Sequence, residues 1–271
     1  MLNFSIKIKL PSGSEVRVPE LNNKVYLTLV KYCENADYEG FNDTIHNFIK
    51  IPANLDILDR FYLLVYYRMI FVDENIHLQG EDKVLDLNLN IILDKINNIY
   101  EDFVEIITVN DISLTVGLPT TLYFTSIDDI YNNIIKSINY KNTFTDFTLL
   151  NNKDKEFVMS YLPSKVFYSL KQYISKLSNL LTNFILIDEI KEFDIKQHKI
   201  DIISNGVIAF LSSIYTTNLF NCYELIYGYL SNISADIDFY NNMSPLETKI
   251  IVNIRNKDIE KKNEELKSQQ E

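Results

Sequence analysis

The segment 57–70, which reads Ile-Leu-Asp-Arg-Phe-Tyr-Leu-Leu-Val-Tyr-Tyr-Arg-Met-Ile, is the feature that most constrains the fold of this chain. Its apolar residues occupy most of the circumference of a helix, so other elements must cover it on several sides. Asn54 or Asp56 lies just before it and can accept hydrogen bonds from the free amides of its first turn. The sequence therefore predicts that this helix is the centre of the N-terminal core.

Two regions of the sequence predict pairs of strands. Apolar and polar residues alternate over 4–10 and again over 15–18, and the Pro-Ser-Gly-Ser segment between them predicts a turn, so this region is typical of a β-hairpin. The segments 104–109 and 112–116 predict a second strand pair, joined by a tight Asn-Asp turn. Alternating leucines over 85–89 indicate a further strand between the two regions.

Apolar residues at helical spacing follow in most of the remaining chain. The pattern predicts helices in these segments: 22–33, 42–48 (after an interruption at Gly40), 127–138 behind a Ser126 cap, a short helix with Phe157 behind Asn151 or Asn152, and a longer one from Ser164 past Leu177. The segments 184–187 and 193–203 are compatible with strands. Asn205-Gly206 marks a break before a last helical group.

The end of the chain carries a strong helix-start signal. Ser244 and Glu247 have the spacing of a capping box, and Pro245 stands at the first helical position, where it loses no hydrogen bond. Three isoleucines over 250–254 form one apolar stripe, after which the tail 255–271 mixes both charges almost evenly. We expect a capped helix whose first turns dock on the body and whose last turns project from it.

Together these patterns predict an α+β fold that is mainly α. We expect an N-terminal β-hairpin with a small strand section, then a helix-rich half, then a C-terminal capped helix. The corresponding sections are 1–122 (strands and helices), 123–242 (mainly helical) and 243–271 (the last helix with its charged tail). The 271 residues, 46% of them hydrophobic, can equally form one continuous domain with a large core.

Composition excludes several classes of protein. A formal net charge of −11 argues against the extended phosphate-binding surface of a nucleic-acid protein, and the aromatic residues are not interleaved with Arg or Lys as in stacking proteins. Cys33 and Cys222 are far apart, so we expect no disulfide framework. The sequence shows neither a membrane span nor the apolar core of a signal peptide.

No constellation of residues indicates catalysis. His46, His77 and His198 lack a second ligand at metal-binding spacing, and no glycine-rich loop or nucleophile motif is present. The acidic pairs Asp73-Glu74 and Asp128-Asp129 fit a loop and a helix N-terminus. We therefore expect no catalytic residue, no metal and no cofactor, which leaves an enzyme as the least favoured class.

Five parts of the chain, taken in order, carry a resemblance to a known family. They are the first strand with Leu10-Pro11-Ser12 and its partner strand, Ile51–Arg68, Val109–Val116 with Leu118-Pro119-Thr120, Lys155–Pro163, and Gly206–Leu211 with Asn242–Glu247 and the charged tail. In this order the chain resembles the baseplate hub and hub-assembly proteins of T-even-like contractile-tailed bacteriophages. It departs from their pattern at Glu20 and Leu246, where relatives often have an aromatic residue, and it lacks the cysteine pairs of zinc-bearing relatives.

The resemblance implies a non-enzymatic protein of viral tail assembly that is made late in infection. It would be a baseplate hub component or a hub-assembly chaperone, with other baseplate hub proteins as partners and without nucleic acid, membrane or small-molecule substrate. Its place would be the host cytoplasm during infection, or the tail baseplate of the virion. The alternative from another class is a viral module that binds nucleic acid or a host factor, and it predicts a basic face.

Aromatic and aliphatic residues of the C-terminal part are the expected contacts with partners, because tyrosine is enriched at protein interfaces. The expected contact residues are Tyr215, Tyr223, Tyr227, Tyr229, Tyr240, Leu246, Ile250 and Ile254.

Overall fold

The computed structural model describes residues 5–79, 84–100, 103–185, 200–216, 222–224, 226–228 and 237–268. Their elements, in chain order, are β1 (Ser5–Lys9), β2 (Glu15–Pro19), α1 (Asn23–Glu34), α2 (Tyr38–Ile49), α3 (Ile57–Phe71), β3 (Asn75–Gln79), β4 (Val84–Asn88), α4 (Leu89–Ile99), β5 (Glu105–Val109), β6 (Ile112–Val116), α5 (Ile127–Ile134), β7 (Ile135–Tyr140), β8 (Thr143–Asp146), a 3₁₀ turn (Phe147–Leu149), α6 (Asn152–Ser160), α7 (Ser164–Ile185), α8 (Gly206–Tyr215), α9 (Ile237–Asn242) and α10 (Pro245–Ser268). The expected α+β fold that is mainly α is confirmed. Within the described residues, no helix has the length and apolar character needed to span a membrane.

Helix α3 lies at the centre of the core, as its sequence predicts. The Asp56 carboxylate accepts from the amides of Leu58 and Asp59, which settles the choice of cap in favour of Asp56. Most side chains of α3 are buried on every side of the helix, and one cluster of buried apolar residues extends from Ile8 to Cys222. The first two sections of the chain therefore share a hydrophobic core.

Buried polar side chains of α3 hold the N-terminal hairpin. Asp59, only 2% exposed, accepts from the amide of Ser12 at 3.1 Å and from its hydroxyl at 2.5 Å. The Tyr67 hydroxyl donates to the Pro19 carbonyl at 3.0 Å, at the end of β2. Because an unpaired polar group is costly in the interior, these bonds fix the position of the hairpin on α3.

The two arginines of α3 bind backbone carbonyls of neighbouring segments. Arg60 donates through Nε to Leu55 at 2.9 Å, and Arg68 donates through Nε to Ile214 at 3.0 Å, at the end of α8. Arg68 also donates through Nη1 to the Asp73 carbonyl. Burial lowers the pKa of the Arg68 guanidinium, and the smaller effect of the nearby Tyr26 acts in the opposite direction. The guanidinium thus joins α3, α8 and the segment that leads to β3.

Antiparallel pairing accounts for all the described strands. β1 pairs with β2 and β3 with β4, and a four-stranded sheet has the order β5-β6-β7-β8. The predicted N-terminal hairpin, the strand within 85–89 and the strand pair 104–109 and 112–116 are confirmed. The turn between β5 and β6 places Asn110 in the left-handed region, with φ of 53°. The strands β3, β7 and β8 were not predicted.

The predicted helix 127–138 is wrong over 135–138, because α5 ends at Ile134 and Ile135 opens β7. Ile135 pairs with Val116 and Ile138 pairs with Leu114, with a register shift between Thr115 and Val116. A bulge adds one residue to the strand, so two isoleucines three positions apart reach the same buried face. That spacing is the one a helix would give, which explains the error.

Three smaller predictions are also corrected. Gly40 does not interrupt a helix, because α2 begins at Tyr38 and the Asp37 side chain accepts from the Gly40 amide at 2.9 Å. Phe184 and Ile185 continue the buried stripe of α7 rather than a strand. Residues 200–201 have no regular structure and 202–205 form a turn, and the remainder of the predicted strands 184–187 and 193–203 lies outside the described residues.

Replacing Arg68 with alanine is expected to lower the free energy of unfolding by about 2–4 kcal/mol, because the carbonyls of Ile214 and Asp73 would lose their donor in the interior. Urea unfolding followed by circular dichroism measures the change. The exposed Arg255→Ala substitution is the matched control and is expected to change the unfolding free energy by less than about 0.5 kcal/mol. Equal effects of the two substitutions would contradict this assignment.

Candidate functional site

The start of α10 is fixed by the predicted capping box. The Ser244 amide donates to Oε2 of Glu247 at 2.9 Å, and the Glu247 amide donates to the Ser244 hydroxyl at 3.2 Å. Both bonds satisfy amides that have no partner within the helix. The predicted cap is therefore confirmed, and it sets the direction in which α10 leaves the body.

A buried asparagine of α1 attaches this helix to the core. Asn23 is 2% exposed, and its side-chain amide donates to the Tyr240 carbonyl at 2.9 Å and to the Thr248 hydroxyl at 2.8 Å. Its backbone amide donates to the Met243 carbonyl at 2.7 Å. A single residue thus binds α9, the α9–α10 junction and the first turn of α10.

Apolar contacts and an ion pair complete the docking of α10. Ile226, Tyr240 and Met243 form a second buried cluster, against which Ile251 and Val252 pack. On another side, Lys249 forms an ion pair with Asp73. Beyond these contacts every residue from 253 to 265 is exposed, so the first turns dock and the later turns project, as the sequence predicts.

A groove of about 1000 Å³ lies where α10 meets the N-terminal hairpin. Its lining includes Arg17 and Val18 of β2, Phe48 and Lys50 at the end of α2, Phe239 of α9, and Ile250 of α10. The floor is mainly apolar, and the charged groups come from the hairpin, α2 and α10. An apolar groove with a few charged groups at its edge is the arrangement expected for a binding site.

The structure corrects the expectation for two of the predicted contact residues, Tyr215 and Tyr240, which are buried. Tyr215 is 0% exposed, its hydroxyl donates to the Leu64 carbonyl at 2.8 Å, and its ring meets Phe41 edge-on with centroids 5.4 Å apart. Tyr240 is 4% exposed and belongs to the cluster beneath α10. Both rings fill space in the folded chain, so neither presents its ring to a partner.

Of the other predicted contact residues, four are exposed, one is partly buried and one lies outside the described residues. Leu246, Ile250 and Ile254 are 37%, 50% and 58% exposed, and Tyr227 is 69% exposed. Tyr223 is partly buried against the cluster beneath α10. Tyr229 lies outside the described residues.

Sequence reasoning missed two residues of this region, Phe239 and Asn23. Phe239 is 52% exposed and lines the groove, whereas its neighbour Tyr240 is buried. Successive residues of a helix point about 100° apart, so one ring of such a pair faces inward and the other outward. That rule was a usable signal for Phe239. No local pattern distinguishes Asn23 from the many other asparagines.

A carboxyl group at the edge of the groove has a perturbed pKa. Burial raises the pKa of Glu20 above its ordinary value of 4.5, and the negative charge of Glu247 raises it further, while a hydrogen bond with the Ser244 side chain opposes both. Glu20 and Glu247 therefore repel each other close to the cap of α10. This repulsion exists only where both groups are ionised.

Two of the acidic residues singled out in the sequence, Asp129 and Asp73, have structural partners. Asp129 accepts from the Thr125 amide at 3.1 Å at the start of α5, and Asp73 accepts from the Asn75 amide at 3.0 Å besides pairing with Lys249. Among the described residues, no three His, Cys, Asp or Glu side chains are grouped as a metal ion would require. His198 lies outside that part of the chain.

Comparison with known proteins identifies a family. A family model described as T4 bacteriophage base plate protein matches residues 1–186, which extend from β1 to the end of α7. No curated protein and no solved structure gives a significant match. The groove thus has one wall, made by β2 and the end of α2, within the matched residues, and another wall, made by α9 and α10, beyond them.

The Asn23→Ala substitution is expected to loosen α10, because the Tyr240 carbonyl and the Thr248 hydroxyl would lose their buried donor. We expect a loss of about 1–3 kcal/mol in unfolding free energy and faster amide hydrogen exchange over residues 245–252. Asn253→Ala is the control, because Asn253 is an exposed asparagine of α10. Unchanged exchange over 245–252 in Asn23→Ala would show that Asn23 does not hold α10.

The raised pKa of Glu20 predicts a pH dependence with a definite sign. A carboxyl group whose pKa is higher in the folded than in the unfolded state favours folding below its unfolded pKa, and this contribution is lost as pH rises through the folded pKa. The native protein is therefore expected to lose stability relative to Glu20→Gln as pH rises above the ordinary glutamate pKa of 4.5, until Glu20 is ionised in the folded state as well. Thermal unfolding at several pH values measures the difference, and a constant difference would refute the assignment.

Proposed function

Since the chain belongs to the T4 bacteriophage base plate protein family, we propose that it works in tail assembly, as a component of the base plate hub or as a chaperone of hub assembly. Membership of a base plate family indicates contacts with other base plate proteins. In this proposal the protein acts by binding those proteins and carries out no catalysis. The groove and the adjoining face of α10 are the proposed contact surface.

The single observation that carries the proposed surface is the exposed apolar face of α10. Leu246, Ile250 and Ile254 are four residues apart, so they lie on one face of the helix, away from the side that Thr248 buries. Ile250 and Phe239 also line the groove, where about half of each side chain is exposed. Contiguous exposed apolar groups of this kind are typical of protein contact sites.

The projecting part of α10 supports the same proposal. Residues 253–265 are exposed throughout, and isolated helices shorter than about 12–15 residues are only marginally stable in water. Asp258 and Lys262 are correctly placed i,i+4 partners, but such a pair contributes only about 0.2–0.5 kcal/mol. A partner that packs along the helix would supply the stabilisation that the body of the protein does not give to these turns.

The alternative is a module that binds nucleic acid or a host factor, and one structural observation favours it. The solvent face of the N-terminal hairpin carries Lys7, Lys9 and Arg17. Binding of a polyanion through this face would weaken steeply with added salt. We rank this alternative second because the adjoining groove is mainly apolar and the chain as a whole carries a net charge of −11.

The proposal is tested by co-purification of the tagged protein from cells that make tail proteins. The double substitution Ile250→Asp and Ile254→Asp places charges on two exposed positions. We expect the recovery of base plate proteins to fall at least about tenfold, because burying two unpaired carboxylates in the contact costs more than about 1.4 kcal/mol. The control is Phe157→Asp, because Phe157 is 63% exposed on α6. Undiminished recovery with the double variant would contradict the proposed surface.

The choice between component and chaperone is tested separately by mass spectrometry of purified particles. A structural component of the hub would be present in the particles and in the co-purified complex. A chaperone would be present only in the complex. Failure to recover base plate proteins with the native chain would contradict the assembly role itself.

A further inference from the structure

The solvent face of the hairpin has a charge opposite to that of the chain as a whole. Alternate residues of a strand share a face, so Ser5, Lys7 and Lys9 of β1 lie on the same face as Glu15, Arg17 and Pro19 of β2. That face carries three cations and one carboxylate, whereas the chain has a formal net charge of −11. The hairpin is thus a local basic surface on an acidic protein.

Two of these cations oppose each other directly across the hairpin. Lys7 and Arg17 are register partners, and like charges at opposed positions destabilise a strand pair. Glu15 relieves Lys7 by an ion pair, but Arg17 makes no ion pair with any described residue. A negative group supplied from outside the chain would relieve this repulsion.

The basic face continues into the groove described above. Arg17 lines the groove, and so does Lys50, which follows α2 in the left-handed conformation with φ of 58°. Within the described part of the chain, Lys50 likewise has no ion-pair partner. The groove therefore combines an apolar floor, including Phe239 and Ile250, with two cations that form no ion pair in the described structure, and its lining also contains Glu20 and Glu247 near the cap of α10.

We propose that the groove binds an acidic, amphipathic segment of another base plate protein. Apolar side chains of that segment would cover Phe239 and Ile250, and its carboxylates would lie against Arg17 and Lys50. This inference rests on the proposed function, and it adds the chemistry of the partner. Complementary charge at the edge of an apolar contact selects the partner and speeds association more than it adds affinity.

An acidic protein segment fits the site better than a nucleic acid does. Nucleic acids are held by rows of cations that follow the phosphate backbone, often with aromatic residues between them. Here the groove offers two cations and a floor made largely of aliphatic and aromatic side chains. A nucleic acid carries a negative charge at every phosphate, so along the groove it would also meet Glu20 and Glu247 at the cap of α10, whereas a peptide segment can place carboxylates at Arg17 and Lys50 and neutral residues beside the two glutamates.

The test is site-specific photo-crosslinking from position 239. p-Benzoylphenylalanine replaces Phe239 in the full-length chain, in cells that make tail proteins, and the crosslinked peptide is sequenced by mass spectrometry. We expect a peptide of another base plate protein in which apolar residues alternate with Asp or Glu. The same replacement at Phe157 on α6 controls for contacts made by any exposed aromatic position.

Charge reversal tests the role of the two cations. Arg17→Glu with Lys50→Glu is expected to reduce the yield of the crosslink about tenfold, and added salt is expected to reduce it in the native protein. Lys31→Glu, an exposed cation of α1, is the matched control and is expected to leave the yield unchanged. Because the substituted positions are exposed, we expect the variants to fold, and circular dichroism verifies this.

The possible outcomes separate this inference from the proposed function. A crosslink to a basic or uncharged segment of a base plate protein, or to a second copy of this chain, overturns the inference and leaves the assembly role standing. A nuclease-sensitive crosslink overturns it in favour of the nucleic-acid alternative. If no base plate protein is captured from position 239 and none co-purifies with the native chain, both the inference and the proposed function fail.

Discussion

The buried charged residues of α3 are the constraint on which the rest of the structure depends. Asp59, Arg60 and Arg68 are buried on a helix that is otherwise almost entirely apolar, and each is bonded to a backbone group of a loop or turn. Arg68 is bonded in addition to the Ile214 carbonyl of α8. A buried charge without partners is strongly unfavourable, so the loops must lie where these side chains reach them. The central helix thereby sets the positions of the surrounding segments as well as filling the core.

The walls of the candidate site are held by contacts of the same kind, namely hydrogen bonds from buried side chains. Asp59 and Tyr67 of α3 hold the hairpin whose β2 strand forms one wall of the groove. Asn23, at the start of α1, holds the helices that form the other wall. Buried hydrogen bonds therefore hold the walls of the groove in place, whereas Arg17, Lys50, Phe239 and Ile250, which line it, are exposed to solvent. This division is expected of a protein whose surface is completed by a partner.

The parts of this arrangement that depend on residues close together in the chain could be predicted from the sequence. The capping box of α10, the apolar helix α3 and the N-terminal hairpin each follow from spacing over a few residues. The contacts of Asn23 did not, because its partners lie 217 and 225 residues away along the chain. Strand β7 was missed because a bulge gave its isoleucines helical spacing, and the burial of Tyr215 depends on the packing of α8 against α2 and α3.

The most direct test of the account is amide hydrogen exchange, measured on the protein alone and on its complex with base plate proteins. The account predicts new protection over α9 and α10, including the projecting residues 253–265, together with the hairpin and the end of α2. Exchange reports the opening of individual segments, so it locates the covered surface without any substitution. Protection confined to the four-stranded sheet and α6, with α10 unchanged, would contradict the assignment of the groove and α10 as the contact surface.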